Sequence, residues 1–409
     1  MPAPPATALV APPRVTPLLA AVALSLLLGL QPVTTDVYLP ALPMLTAALG
    51  APMGQAQLTM SALILAFGLA QMVWGPVSDR IGRRPVLLLG LVLYTVASAG
   101  CALAGSIDVL IVWRVLQGAA LAAAVVCARA IVRDLYEPVQ GAQVMALALS
   151  GLGVIALIGP LLGGVTALAF GWRGPLTVVT LVAALTLIFI AARLPETLAR
   201  PDPGATRLAP LLRRWREIAA NRVFRAWALL VACSYGGLFT LLAASSFIYM
   251  DVFGLSPAAY GGAMALGSLS YLGGTLLCRR WIRQHGLAGA VRRGGGFTLA
   301  GGVLIAATAV AGLPAPWAVG AVLLSQCLYC FGHGMHQPCG QAGVVGPFPH
   351  AAGAASALAG LLLALVAFAV GRWLGVALDG TVRPLAWGLA FWSLMTVLVA
   401  WTWAQRTEG

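Results

Sequence analysis

Gly75-Pro76-Val77-Ser78-Asp79-Arg80-Ile81-Gly82-Arg83-Arg84-Pro85 is a short polar stretch between two long apolar runs, 56–77 and 85–105. A run of about 20 apolar residues, at about 1.5 Å of rise each, matches the hydrocarbon thickness of a bilayer. The stretch therefore reads as a tight connection between two membrane-crossing helices, with three arginines held at one membrane face.

Working outward from it, further apolar spans cover 16–38, 109–132, 142–168 and 174–193. After a polar stretch come 224–250, 258–281, 290–311, 316–337, 352–376 and 384–404. Of the 409 residues, 60% are hydrophobic and only 9% charged, whereas a soluble protein carries about 25% charged residues. The expected fold is an all-α polytopic membrane protein of twelve transmembrane helices in two six-helix halves, residues 1–193 and 223–409, joined by a linker at 194–222. Arg14 ahead of the first apolar run imitates a secretory signal, but the run continues to Asp36 without a small-x-small cleavage site and is kept as the first span.

Arg80, Arg83, Arg84 and Arg133, six arginines of the linker, and Arg279, Arg280, Arg283, Arg292 and Arg293 all fall on one face; Arg173 and Arg383 are nearly alone on the other. This asymmetry places both termini in the cytoplasm. The net charge of +13 is thus accounted for by topology, and no nucleic-acid partner is implied. Membrane lipid is the expected partner of the linker's Arg/Trp stretch, 213–217, which reads as a short surface helix. The seven cysteines lie mostly in apolar spans and imply no disulfide framework.

Asp36 is the one acidic residue placed well inside a span. A carboxylate at that depth costs about 2.5–3.5 kcal/mol on insertion scales, so it is a functional candidate by default. Arg114, in the fourth span, likewise needs a carboxylate, backbone carbonyls or water, unless it snorkels to the surface. An ion pair with Asp36 would favour the charged carboxylate and desolvation would oppose it. A group that takes up a proton on one side of a membrane and releases it on the other is what a proton-driven transporter needs, and the balance between Asp36 and Arg114 would set that release.

The Gly75–Pro85 stretch resembles the cytoplasmic loop signature G-x-x-x-D-R-x-G-R-R of the major facilitator superfamily. Gly75 would allow close helix approach and Gly82 a tight turn, with Asp79 facing a helix N-terminus of the other half. Arg80, Arg83 and Arg84 would be available to Asp134. One reading is a latch holding the cytoplasmic side closed; the other is a basic loop that only fixes topology. Arg114 with Gly118 looks like the family's second motif. Gly159-Pro160-Leu161-Leu162-Gly163-Gly164 is similar to the antiporter motif of drug exporters, with Ile155 standing where the first Gly is expected. Ordinary small-residue packing is the alternative there. Together with Asp36-Val37-Tyr38-Leu39-Pro40 and Pro347-Phe348-Pro349-His350, these motifs resemble the Bcr/CflA branch (bicyclomycin and chloramphenicol exporters) over nearly the whole chain.

In the tenth span Cys327, Cys330, His333, His336 and Cys339 recur every three residues. Each step of three drifts by about 60° around a helix, so all five cannot face one metal ion, and no metal is expected. His333, His336 and Gln337 read instead as cavity lining, together with Tyr38, Met60, Tyr235 and Phe239. There is no phosphate-binding loop and no nucleophile–base constellation, so neither ATP-driven transport nor an enzyme is implied. The resemblance implies a monomeric proton-coupled efflux transporter without a bound cofactor, driven by the proton gradient and exchanging small amphipathic drugs for protons. Because only one carboxylate lies in the membrane, the expected substrates are neutral or singly charged. Export of an endogenous metabolite on the same scaffold is the alternative.

Overall fold

The computed structural model describes residues 15–407, and within them there is no strand. Eleven helices are long and apolar enough to cross a membrane. The longest, Pro257–Ala311, has 55 residues and breaks at Gly286, whose φ of 69° no helix accommodates, so the spans number twelve. They are α1 (Pro17–Asp36), α2 (Met53–Ile81), α3 (Arg83–Leu103), α4 (Ile107–Leu135), α5 (Pro138–Phe170) and α6 (Arg173–Arg193), then α7 (Arg222–Ser246), α8 (257–285), α9 (287–311), α10 (Ala315–Val345), α11 (Ala352–Ala377) and α12 (Arg383–Trp401). Helices are the form this composition dictates, because each backbone polar group in lipid must be satisfied within its own segment.

Local chemistry sets the ends. The side chains of Ser106, Asn221 and Ser256 accept the backbone N–H three residues on, opening α4, α7 and α8. The polar stretch after α2 is shorter than the apolar pattern implies. Gly75–Ile81 forms the last two turns of α2, and Gly82 alone, at φ 108°, turns the chain into α3. Between α6 and α7 an amphipathic linker helix runs over Leu208–Ala220.

In the first six spans α1 packs on α5, and α4 packs between α2 and α3; in the last six, α10 packs on α8 and α9, and α7 contacts α10, α11 and α12. The two sets meet mainly along α2–α11 and α5–α8. Their buried apolar residues fall into separate clusters at the end carrying the Gly82 turn: Leu24, Leu87, Val125 and Leu194 in one, Phe224, Trp227, Val291 and Met335 in the other. At the opposite end one continuous cluster joins both sets, running through Tyr38, Leu42, Leu110, Phe239, Tyr249, Tyr260 and Leu374. The molecule is therefore fused at that end and parted at the arginine-rich one. Large apolar side chains such as Val96, Leu185, Leu276 and Val376 stay exposed on the outside, as a lipid-facing surface requires.

Candidate functional site: an unpaired acid and a buried arginine where the halves meet

Asp36 is the last residue of α1, and its carboxylate accepts a hydrogen bond from Thr35 Oγ1 at 2.7 Å. Among the described residues no cation pairs with it. It lies within electrostatic reach of Tyr235 on α7 and Tyr260 on α8, both from the other half. Tyr260 in turn shares a hydrogen bond with Ser245 of α7 at 2.8 Å.

Glycines bring three helices to this point. A Cβ on Gly159 would stand 3.6 Å from that of Asp36, whereas one on Gly163 would run into the backbone carbonyl of Val37. Gly164 abuts the Pro257 carbonyl, and Gly261 of α8 abuts that of Pro160. Gly159, Pro160, Gly163 and Gly164 thus form the seam where α5 meets both α1 and α8.

Arg114 is 1% exposed, so it does not snorkel. Its Nη1 donates to Gln117 Oε1 at 2.9 Å and to the Thr34 carbonyl at 3.4 Å. Its guanidinium carbon lies 3.6 Å from the centre of the Tyr38 ring, a stacking that suits a planar cation. The ion pair with Asp36 considered from the sequence is not formed; carbonyl, amide and ring satisfy Arg114 instead. Its buried Nε has no partner among the described residues. Around it, Gln117 Nε2 donates to Ser98 Oγ at 2.8 Å, Tyr94 shares a hydrogen bond with Thr34 at 2.6 Å, and Tyr38 shares one with Thr59 at 2.7 Å. Met60 lines the narrow gap beside Tyr38 and Arg114, with Thr34 and Thr35. Tyr235 and Phe239 stack with ring centres 6.4 Å apart.

His333 and His336 belong to a different cluster. Ser234 Oγ bonds their Nδ1 atoms at 2.8 and 3.4 Å, and His336 Nε2 meets the Val291 carbonyl at 3.3 Å. Both rings are buried within the second set of spans, and Gln337 Oε1 is buried without a partner among the described residues. No three of His, Cys, Asp and Glu gather to hold a metal among the described residues.

At the arginine-rich end, Arg83 Nε donates to Asp134 at 2.9 Å while its Nη1 bonds Asp79 and, at 2.7 Å, Ser78. Asp79 is thereby held by its own half. Arg80 donates to Thr206 of the linker at 2.8 Å, and Arg84 to the carbonyls of Leu194 and Ala191. A Cβ on Gly75 would meet only Val126, at 3.9 Å, so this glycine does not mark the close approach its position implies. That approach is at Gly118, against the Leu63 backbone.

Three residues escaped the sequence reading. Glu196 accepts the backbone N–H groups of Arg83 and Arg84. Gln117 stands one turn from Arg114, and Tyr260 lies within electrostatic reach of Asp36 from the other half, a proximity without a sequence signal.

Twelve spans in two sets, meeting around an unpaired acid, define a membrane transporter. Residues 24–371 match the family model of the Major Facilitator Superfamily, and the chain belongs to that family. It is 30% identical over 350 residues to multidrug resistance protein D of Escherichia coli (strain K12), covering 82% of this chain and 83% of that one. It is also 30% identical over 383 residues to the chloramphenicol resistance protein of Pseudomonas aeruginosa, covering 91% and 87%. In fold it is similar to the xylose transporter XylE from E. coli in a partially occluded inward-open conformation, with a TM-score of 0.73 at 15% identity over 95% of this chain and 98% of that one. These relatives fit the Bcr/CflA branch and a multi-pass protein of the bacterial inner membrane.

Proposed function

We propose that the chain is a multidrug exporter that exchanges small amphipathic compounds for protons by alternating access. The observation that carries this is Asp36, a carboxylate at the junction of α1, α5, α7 and α8 with a hydroxyl but no cation beside it. A proton or a substrate donor can occupy it in turn, and the helices around it are those that must rearrange when access switches. The resistance phenotypes named for the two relatives support drugs as the cargo. Arg114 holds a fixed positive charge against the same end of α1. In this reading Gly75, Asp79, Arg80, Gly82, Arg83, Arg84 and Asp134 form the latch. The arginine-rich face, and with it both termini, lies toward the cytoplasm. The protein works as a monomer, without a cofactor or an enzymatic step.

One proton falling through 100 mV releases about 2.3 kcal/mol, enough to hold a neutral compound at about a 50-fold gradient. The test is chloramphenicol flux in proteoliposomes under an imposed pH gradient. Flux in wild type that is absent in Asp36→Asn, with both proteins monodisperse, supports the proposal. Equal flux in the two removes Asp36 from coupling.

A further inference from the structure

At the arginine-rich end the parted halves leave a recess of about 460 Å³ between α2, α4, the start of α11 and the linker helix. Its volume is that of a small-molecule site. Four guanidiniums converge on it from two elements: Arg129 and Arg133, one turn apart on α4, and Arg207 and Arg214 at the linker helix. Among the described residues none of the four is in an ion pair. The fifth arginine of the lining, Arg83, is already held by Asp79 and Asp134. Asp202, the other carboxylate there, accepts the Gly204 N–H at 2.8 Å.

Topology alone does not account for this arrangement. Arginines that only fix orientation sit at the membrane rim, where water screens them. Arg129 lies a full turn, about 6 Å, deeper along α4 than Arg133, and its side chain is exposed to the recess. Like charges one helical turn apart repel, and here two such groups meet two more from the linker. An anion would relieve that repulsion and find planar, multidentate donors suited to phosphate or carboxylate. Trp215 also belongs to the lining. Arg129 is fifteen residues, about 22 Å of helix, from Arg114, so this is a separate site.

We propose that the recess binds the anionic headgroup of an amphipathic molecule, a phosphate or carboxylate on an apolar body, with Arg129 as its innermost contact. Resting on the transporter reading, this makes the recess a loading site for negatively charged cargo or the seat of an anionic lipid.

The test is equilibrium binding to full-length protein in phosphatidylcholine nanodiscs, by calorimetry with octyl phosphate and octyltrimethylammonium as probes. The expected result is saturable octyl phosphate binding that weakens with salt and is not displaced by the cationic probe. Affinity should fall by about tenfold or more in Arg129→Gln and by less in Arg129→Lys, which keeps the charge but not the planar fork. Arg133→Gln, nearer the surface, provides a second reading should Arg129→Gln not fold. Equal affinity for both probes, or octyl phosphate affinity unchanged in every folded glutamine variant, overturns the proposal. Repeating the titration in phosphatidylglycerol discs identifies the source: competition marks a lipid headgroup, unchanged affinity a soluble anion. Binding needs no flux, so failure of proton-coupled transport and failure of this site are separable.

Discussion

The carboxylate of Glu196 accepts the backbone N–H of Arg83 at 3.0 Å while its second oxygen accepts that of Arg84 at 3.1 Å. One side chain from beyond α6 thus closes the N-terminus of α3, satisfying two donors that the helix cannot satisfy itself and placing a negative charge at the positive end of its dipole. It also accepts the N–H groups of Thr197 and Leu198, which folds the chain after α6 back onto the turn. Glu196→Ala should lower stability by about 1–2 kcal/mol, the worth of a helix cap. Thermal unfolding in detergent checks this, and a midpoint equal to wild type would show that water replaces the carboxylate.

Gly82 and Gly75 belong to the same motif but differ physically. Gly82 has φ 108°, and a Cβ there would lie 2.5 Å from Glu196 Oε2, so Gly82→Ala is expected to cost about 1–3 kcal/mol. Gly75 is helical with room around it, and Gly75→Ala should stay within about 0.5 kcal/mol of wild type. Comparable losses for both would contradict the geometry.

A similar contrast divides the α5 seam. Gly159→Ala adds a methyl at ordinary contact distance from Asp36 and Val37, and the fold should tolerate it. Gly163→Ala drives a methyl into the Val37 backbone, which cannot swing aside as a side chain does. A loss of about 1–3 kcal/mol is expected, the usual cost of overpacking. Unfolding midpoints of the two variants, measured side by side, decide the matter.

Arg114→Lys keeps the charge but loses the planar stacking of the guanidinium on the Tyr38 ring. Transport should fall by about tenfold or more, as for a loss of about 1.4 kcal/mol, while the protein remains folded. Wild-type flux in this variant would reduce Arg114 to a point charge.

If a proton and a drug compete for Asp36, drug affinity must fall as pH is lowered, because the protonated carboxyl no longer offers the same acceptor. Asp36→Asn should bind with no pH dependence. Equilibrium binding of chloramphenicol across pH 5.5–8.5, about three decades of proton activity around neutrality, reads this directly. A slope that persists in the variant places the titrating group elsewhere.

The twelve spans were legible because a bilayer admits few solutions: apolar length and arginine bias nearly determine them. The pairing of Arg83 with Asp134 could be anticipated, since both stand at helix ends on one face. The surroundings of Asp36 and Arg114 could not. Whether a buried arginine meets a carboxylate, a carbonyl or a ring depends on angstrom-scale rotation of α1 against α4, which no periodicity encodes. Gly75 shows the converse: its motif position implies a crowded contact, but crowding depends on the neighbouring surface, and the tight crossing of α2 and α4 is at Gly118.

Gly286 is the only break in a 55-residue helical stretch, so α8 and α9 are joined with no slack chain between them. Such a joint works like the pin of a connecting rod, letting the angle change while displacement along the axis passes through. The far side is also fastened: Trp401 Nε1 donates to the Arg292 carbonyl at 2.9 Å and Gln405, just beyond α12, to that of Ala288 at 2.8 Å, binding the end of α12 and the turn after it to the first turns of α9. A displacement of α8 against α5 would therefore have no loop to absorb it before α9, and these two bonds would carry it on to the C-terminal end of α12.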